Sequence, residues 1–379
     1  MALAVGVDVG SSSIKAVVLD GLIISGSARA PLSRPRSTSD LQKALVDMLE
    51  SLLPEGKREQ VRALCIGGRA PTLVGIRGEQ QDGPVVGWEG IPAAATTRGR
   101  FYLDSIAKSL MERDRDLYDS CRFFVNPHEY LTYVLTGLVR SSTPSDLYHP
   151  WGGYVTEARR RIKSARVDSA KVAPSVPVGS VVGRISPASA LGLGLDEKAS
   201  VVMGGWDFFL DILGSAVSLA GEILVRAGTS IAVDALWSSP LDVNGFFTTP
   251  YFVSGVYVVG RVLRSAAEFA GHEEQGSHSV GQKVFGPENE TQEIADAVSR
   301  LRQEMGEPLS IVCSGQRALG TDMCRRLASR IGRIVQRPSE PHTEARGAAV
   351  VASVTSGLTA TYEEHVRAIK STWETIGAG

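Results

Sequence analysis

Several things are scarce or missing in this chain of 379 residues, and each absence narrows the field. Cysteine is sparse and unpatterned. Cys65, Cys121, Cys313 and Cys324 are scattered with no Cys-x-x-Cys, so buried thiols in a reducing compartment are expected and structural zinc is not. His272 and His278 do not form a His-x3-His pair either. Net charge is nearly absent, at −1, which removes any global pull toward nucleic acid or anionic membrane. No uninterrupted apolar run approaches a membrane span. The first residues lack a basic stretch, an apolar run and a small-residue cleavage site, so no signal peptide is expected and a cytoplasmic location is.

Familiar catalytic signatures are missing as well. There is no G-x4-G-K-[ST], so Ser11-Ser12-Ser13-Ile14-Lys15 is not a Walker A loop. Gly192-Leu193-Gly194 lacks the third glycine of a dinucleotide fingerprint. Neither G-x-S-x-G nor the protein-kinase signatures occur. What remains is an ordinary globular composition, 43% hydrophobic and 21% charged, with length for about two domains.

The stretch that organises the rest spans residues 4–20. Two Val-rich runs, 4–9 and 14–19, flank Gly10-Ser11-Ser12-Ser13, which predicts two strands joined by a tight hairpin. Asp8 lies inside the first run, just before the turn. A carboxylate there costs desolvation energy unless a cation or donor meets it. Backbone N–H groups and three serine hydroxyls suit a phosphate, and Asp8 could hold Mg²⁺ beside it. The alternative is a polar hairpin tip whose Asp bonds to turn amides.

A third strand is expected over 22–30 and a helix over 39–53, closed by Pro54 and Gly56. Residues 61–66 read as a short buried strand followed by Gly67-Gly68-Arg69-Ala70-Pro71-Thr72. That order suggests a mixed α/β layer, and loops at the carboxyl ends of such strands bind ligands. Arg69 is therefore a candidate contact, or a plain surface Arg. Helices are expected over 102–113, 126–135 and 157–166, the second carrying His128 and Glu129 and closed by Gly137. Arg159, Arg160, Arg161, Lys163 and Arg166 have no interleaved stacking aromatics, so they read as a solvated helix face rather than a nucleic-acid patch.

Residues 200–203 form a strand ending in Gly204-Gly205-Trp206-Asp207, with a helix expected over 208–217. Asp207 sits where an N-cap belongs; its other reading is a general base kept ionised by the helix dipole. A second strand–turn–strand covers 222–227, Gly228-Thr229-Ser230 and 231–236. Val7-Asp8-Val9-Gly10-Ser11-Ser12 aligns with Val225-Arg226-Ala227-Gly228-Thr229-Ser230, with the charge reversed at the second position. Two similar domains are the implication, and chance likeness of two hairpins the alternative. Beyond it, a strand over 255–260, a helix over 262–270, a polar stretch over 272–289, a helix over 291–305 and a strand over 309–313 are expected. That last strand ends at Ser314-Gly315-Gln316. Helices follow over 321–331 and 344–355.

These stretches together resemble the FGGY family of carbohydrate kinases, which share the actin/ribonuclease-H-like ATPase fold. Gly6-Val7-Asp8-Val9-Gly10-Ser11-Ser12 is similar to the family's first phosphate motif, and Gly68-Arg69-Ala70-Pro71-Thr72-Leu73-Val74 to its sugar loop. Residues 86–89 resemble its Trp loop, and Leu135-Thr136-Gly137 its helix end. Gly204-Gly205-Trp206-Asp207 resembles the strand end with the catalytic Asp, and Gly228-Thr229-Ser230 the second phosphate motif. Ser314-Gly315-Gln316 and Glu344-Ala345-Arg346-Gly347-Ala348-Ala349 resemble the adenosine region. The chain departs at Trp88-Glu89-Gly90-Ile91, where the family places its acidic residue one position later, before an Arg. It departs again at Ser314-Gly315, where the family has Gly-Gly, and in a shorter stretch between the two nucleotide motifs.

The resemblance implies two ribonuclease-H-like α/β domains, 1–212 and 213–379, with mixed sheets flanked by helices and the active site in the interdomain cleft. It implies an ATP- and Mg²⁺-dependent kinase of a small sugar or polyol, a pentulose such as xylulose first and glycerol or another polyol next. Asp207 would be the base and Asp8 the metal residue. Gly10, Ser11, Ser12, Ser13, Gly228, Thr229, Ser230, Gly315, Gln316 and Gly347 would hold the nucleotide. Arg69, Trp88, Glu89 and Glu129, with Asp207, would face the sugar. Neither nucleic acid nor membrane is an expected partner; a homodimer is an open assembly. The alternative is a non-kinase nucleotide-binding regulator or ATPase switch of the same fold, which would not need a carboxylate at 207.

Overall fold

The computed structural model describes residues 2–32, 37–78, 82–87, 102–228, 230–253, 255–264 and 287–377. Contacts divide the chain into two compact units. The first comprises Met1–Asp211 and Glu344–Glu364, the second Ile212–Thr343 and His365–Gly379. Helix Thr343–Thr355 thus falls almost wholly within the first unit, although it comes late in the chain. Among the described residues no helix is long and apolar enough to cross a membrane.

In the first unit the hairpin forms as its valines and glycine dictate. Leu3–Val9 pairs antiparallel with Ser13–Asp20, with Val9 opposite Ile14 and Asp8 opposite Lys15. Ile23–Pro31 adds an antiparallel edge strand. On the other side Val61–Gly68 pairs parallel with Leu3–Val9, and Ser200–Trp206 pairs parallel with Val61–Gly68. Val181–Arg184 closes that edge, antiparallel. Three neighbouring parallel strands therefore end on the same side of the sheet. Helix Thr38–Leu52 starts with a capping box, Ser37 with Asp40, and buries Leu41 and Leu45 against Val5, Val7, Leu64 and Ile66.

The second unit repeats this plan. Glu222–Ala227 pairs antiparallel with Ile231–Trp237, which pairs antiparallel with Tyr257–Arg264. Ser310–Ser314 then adds in parallel beside Glu222–Ala227 and Val335–Arg337 beside it. Hairpin, antiparallel outer strand, then parallel strands on the far side is the same order in both units. The reversed charge of the repeat has a local explanation. Arg226 Nε donates to Asp234 Oδ2 at 2.6 Å, so in each hairpin an opposite charge on the companion strand meets the buried one. Ile223, Val225, Val233, Ile294, Leu301 and Leu327 form the core.

Two stretches differ from expectation. The helix expected over 262–270 is not one at its start: Val262 and Arg264 extend the strand Tyr257–Arg264, with Val262 opposite Ala232 and Arg264 opposite Ile231. The ladder offered by Ile231–Trp237 prevails over local helix preference. Residues 265–270 lie outside the described residues. The polar stretch expected to end at 289 instead enters helix Pro287–Met305.

Gly6 carries a constraint that hydrophobic pattern cannot show. A Cβ there would lie 2.1 Å from Ala345 O and 2.1 Å from Ala349 N, so helix Thr343–Thr355 rests on bare strand backbone. Both neighbours are backbone atoms with nowhere to move. Gly6→Ala is expected to cost about 1–3 kcal/mol or more, the usual range for overpacking a core. Gly56→Ala, on a helix with open space around it, should be neutral or slightly stabilising. Urea denaturation of both variants checks this; equal stability would show that the helix does not need the glycine.

Candidate active site

The hairpin turn is narrow. Gly10 N donates to Ser13 O at 3.0 Å, and Leu32 N donates to Ser12 O at 2.9 Å. A Cβ on Gly10 would sit 2.9 Å from Ser13 O, so glycine is needed to close the turn. Behind it Asp8 is 1% exposed. Its Oδ2 takes a 3.1 Å contact from Lys15 Nζ, while its Oδ1 has no hydrogen-bond partner. Lys15 also reaches Glu344 Oε1 at 2.8 Å. Burial pushes the Asp8 carboxyl up to about 7; Lys15 opposes the shift, and Glu344 and Asp207 add to it. Burial works against the Lys15 charge, but Glu344 and Asp8 outweigh it and hold the ammonium protonated well beyond its ordinary range.

The parallel strands bring three candidates to one edge. Asp8 is opposite Gly67 and Val9 opposite Gly68; Trp206 is opposite Gly68 on the other side. Arg69 and Asp207 are thus the next residues along two neighbouring strands. Glycine permits the crowding: a Cβ on Gly67 would lie 1.9 Å from Leu210 Cδ1, and one on Gly204 1.9 Å from Ile66 O. Asp207 opens helix Asp207–Gly214 and is half-buried. Its Oδ1 accepts from Phe208 N, the next amide, at 2.7 Å, and its charge helps to raise the pKa of Asp8. Asp211, one turn further on, is 3% exposed. Arg69 is anchored at both ends, its N donating to Val9 O at 3.0 Å and its Nε to Thr72 Oγ1 at 3.0 Å.

The other candidates are taken in turn on their own elements. Glu129 is buried and saturated. Its Oε2 accepts from Asn126 N at 2.7 Å, and its Oε1 from Ser142 N at 2.7 Å and Ser142 Oγ at 2.8 Å. It completes the capping box of helix Pro127–Thr136, which ends on left-handed Gly137. Trp88, Glu89 and Thr229 lie outside the described residues. In the second unit Gly228 N donates to Ser230 O at 3.1 Å, a turn like that at Gly10. Gly315 has φ 90°, and a Cβ there would lie 2.7 Å from Ala227 O, so two strand ends approach with only glycine between them. Gln316 is exposed beside it. Gly347 is buried within helix Thr343–Thr355, the helix whose Glu344 meets Lys15.

Lys15, Glu344 and Trp206 were not singled out as site residues from sequence. Lys15 could have been: a four-residue link sets position 15 opposite position 8. Glu344 could not, because 329 residues separate it from Lys15. Among the described residues no group of three or more His, Cys, Asp or Glu is arranged to hold a metal. The donor set at Asp8 is instead one carboxylate with a buried oxygen that has no hydrogen-bond partner. That suits Mg²⁺, which is commonly bound through one or two carboxylates, waters and substrate phosphates.

No family model matches the sequence, and no curated protein matches it. Solved structures do. A ligand-bound xylulose kinase from Lactobacillus acidophilus superposes with a TM-score of 0.79 at 14% identity, covering 100% of this chain and 94% of that one. A Plasmodium falciparum glycerol kinase with ADP gives 0.78 at 11% identity, with 100% and 94% covered. A gluconate kinase from Lactobacillus acidophilus gives 0.77 at 13% identity, with the same coverage. This chain has the fold of these kinases: two mixed α/β domains.

Proposed function

We propose that the protein transfers the γ-phosphoryl group of ATP to a hydroxyl of a small sugar or polyol. The observation that carries this is the shared edge of Asp8 and Asp207, a buried carboxylate with an oxygen that has no hydrogen-bond partner and a half-buried carboxylate close enough to raise its pKa. The first suits the cation that accompanies ATP, the second a base for the acceptor. A nucleotide-binding regulator would have no use for the second.

In this reading the acceptor hydroxyl oxygen attacks the γ-phosphorus and its proton passes to Asp207. The bond from the γ-phosphorus to the bridging oxygen breaks, and ADP leaves. Phosphoryl transfer depends on positioning and charge neutralisation more than on covalent help from the protein. The turn at 10–13 is assigned to phosphate oxygens through its N–H groups and hydroxyls, and the resemblance assigns Gly228, Thr229 and Ser230 to phosphate as well. Lys15 stays cationic next to Asp8. Mg²⁺, when bound at Asp8 with ATP, supplies neutralisation of phosphate charge. Gly315, Gln316 and Gly347 are assigned to adenosine and Arg69 to the acceptor. A pentulose such as xylulose is the first acceptor to try. A coupled ADP-release assay over pentuloses, hexuloses, glycerol and erythritol tests the proposal; ATP consumption independent of every acceptor would count against it.

Two outcomes follow for single residues. Asp207→Asn keeps size and capping ability and removes the base, so the melting temperature should hold while turnover falls by roughly 10² to 10⁴ with ATP affinity unchanged. Asp211→Asn should cost far less turnover. An undiminished rate in a folded Asp207→Asn protein would reduce Asp207 to a cap.

The second outcome concerns pH. Asp8 ordinarily titrates at 3.8 and in the fold at about 7, so the native state binds its proton more tightly than the unfolded chain. That contribution is complete below 3.8 and is lost as pH rises through about 7, so stability from this group falls across that window. Asp8→Asn, neutral throughout, should show a flatter profile of denaturation midpoint against pH, and should bind Mg·ATP more weakly. Matching profiles and wild-type Mg²⁺ dependence would remove both roles.

A further inference from the structure

Beside Asp207 stands an aromatic group that the reaction scheme leaves unused. Trp206 ends its strand immediately before Asp207 and is half-buried. Its ring lies 6.0 Å from Phe209 in a stacked arrangement, 6.0 Å from Phe208 and 6.1 Å edge-on from Tyr148. Tyr148 in turn meets Tyr154 at 5.7 Å. Phe209 is 1% exposed and Tyr148 5%, so the supporting rings are core. Gly152, at φ +91°, lets the backbone close on the same indole: a Cβ there would be 3.3 Å from Trp206 Cη2 and 2.7 Å from Tyr102. The indole is therefore held by rings and backbone in a residue that is only half-buried. Trp151, by contrast, is 1% exposed and spends its N–H on Phe124 O, as a core tryptophan does.

A rigid, half-buried aromatic surface next to a general base suits an acceptor with a flat face of C–H bonds, which a closed sugar ring has and an extended polyol does not. Phe208, on the other side of the base, adds no polar side-chain group.

The geometry points to Trp206 as the stacking plate of the acceptor subsite, selecting a sugar in its ring form over open-chain polyols. This rests on the kinase reading above for the identity of the site. Tryptophan fluorescence and calorimetry, without nucleotide, would compare ring-locked methyl glycosides and alditols of the same carbon number. Wild-type protein should bind a ring-locked glycoside about tenfold more tightly than its alditol, the size of one good aromatic contact. Trp206→Leu should abolish the ring preference, and Trp206→Phe should restore part of it. In turnover the loss should fall on acceptor KM rather than kcat. Equal or tighter binding of alditols by wild-type protein overturns the inference, as does a ring preference that survives in Trp206→Leu. If the Leu variant does not fold, the wild-type ranking and the Phe variant decide. Phosphoryl transfer without ring preference sinks the plate and leaves the kinase; ring binding without any ADP release does the reverse.

Discussion

A buried carboxylate at the end of a strand governs this molecule's first unit. Asp8 cannot stay charged among Val7, Val9 and their neighbours without help, and Lys15 gives only part of it because the same ammonium also serves Glu344. Replacing the arrangement with apolar groups would be at least as stable, since buried ion pairs seldom recover their desolvation cost. A carboxyl held near 7 with one oxygen unsatisfied is the observation on which the proposed Mg²⁺ role of Asp8 rests. The surrounding fold keeps it so: the hairpin register sets Lys15 opposite, and the helix carrying Glu344 rests on Gly6.

Close approach is the second constraint. Gly6, Gly67, Gly204 and Gly315 each stand where a methyl group would strike a neighbour. At Gly67 and Gly204 the result is that two strand ends and the helix opened by Asp207 converge. Close approaches of this kind make Asp8, Arg69 and Asp207 neighbours although about 60 to 200 residues of sequence separate them, as the parallel pairing of α/β sheets regularly does at its carboxyl edge.

Much of this was legible beforehand. Alternating valines around Gly10 specify a hairpin. Gly67-Gly68 after an apolar run marks a strand end, and Asn126 with Gly137 brackets a helix at both caps. The second hairpin could be read from the first. What could not be read depended on distant partners. Val262 looks helical until Ile231–Trp237 offers it a ladder. Glu129 looks available until Ser142 folds back on it. Glu344 has no visible purpose until its helix meets the hairpin, and Trp206 reads as a spacer before an acid until Tyr148 and Phe209 hold it in place. Local chemistry specified the elements, and long-range packing distributed the roles.

The central claim is that this chemistry moves a phosphoryl group between two bound molecules rather than to water. Product stoichiometry tests it most directly. Wild-type protein incubated with Mg·ATP and a neutral sugar should yield ADP and sugar phosphate in equal amounts, with no inorganic phosphate beyond the protein-free control. ADP matched by inorganic phosphate, or no ADP with any acceptor, would contradict the account.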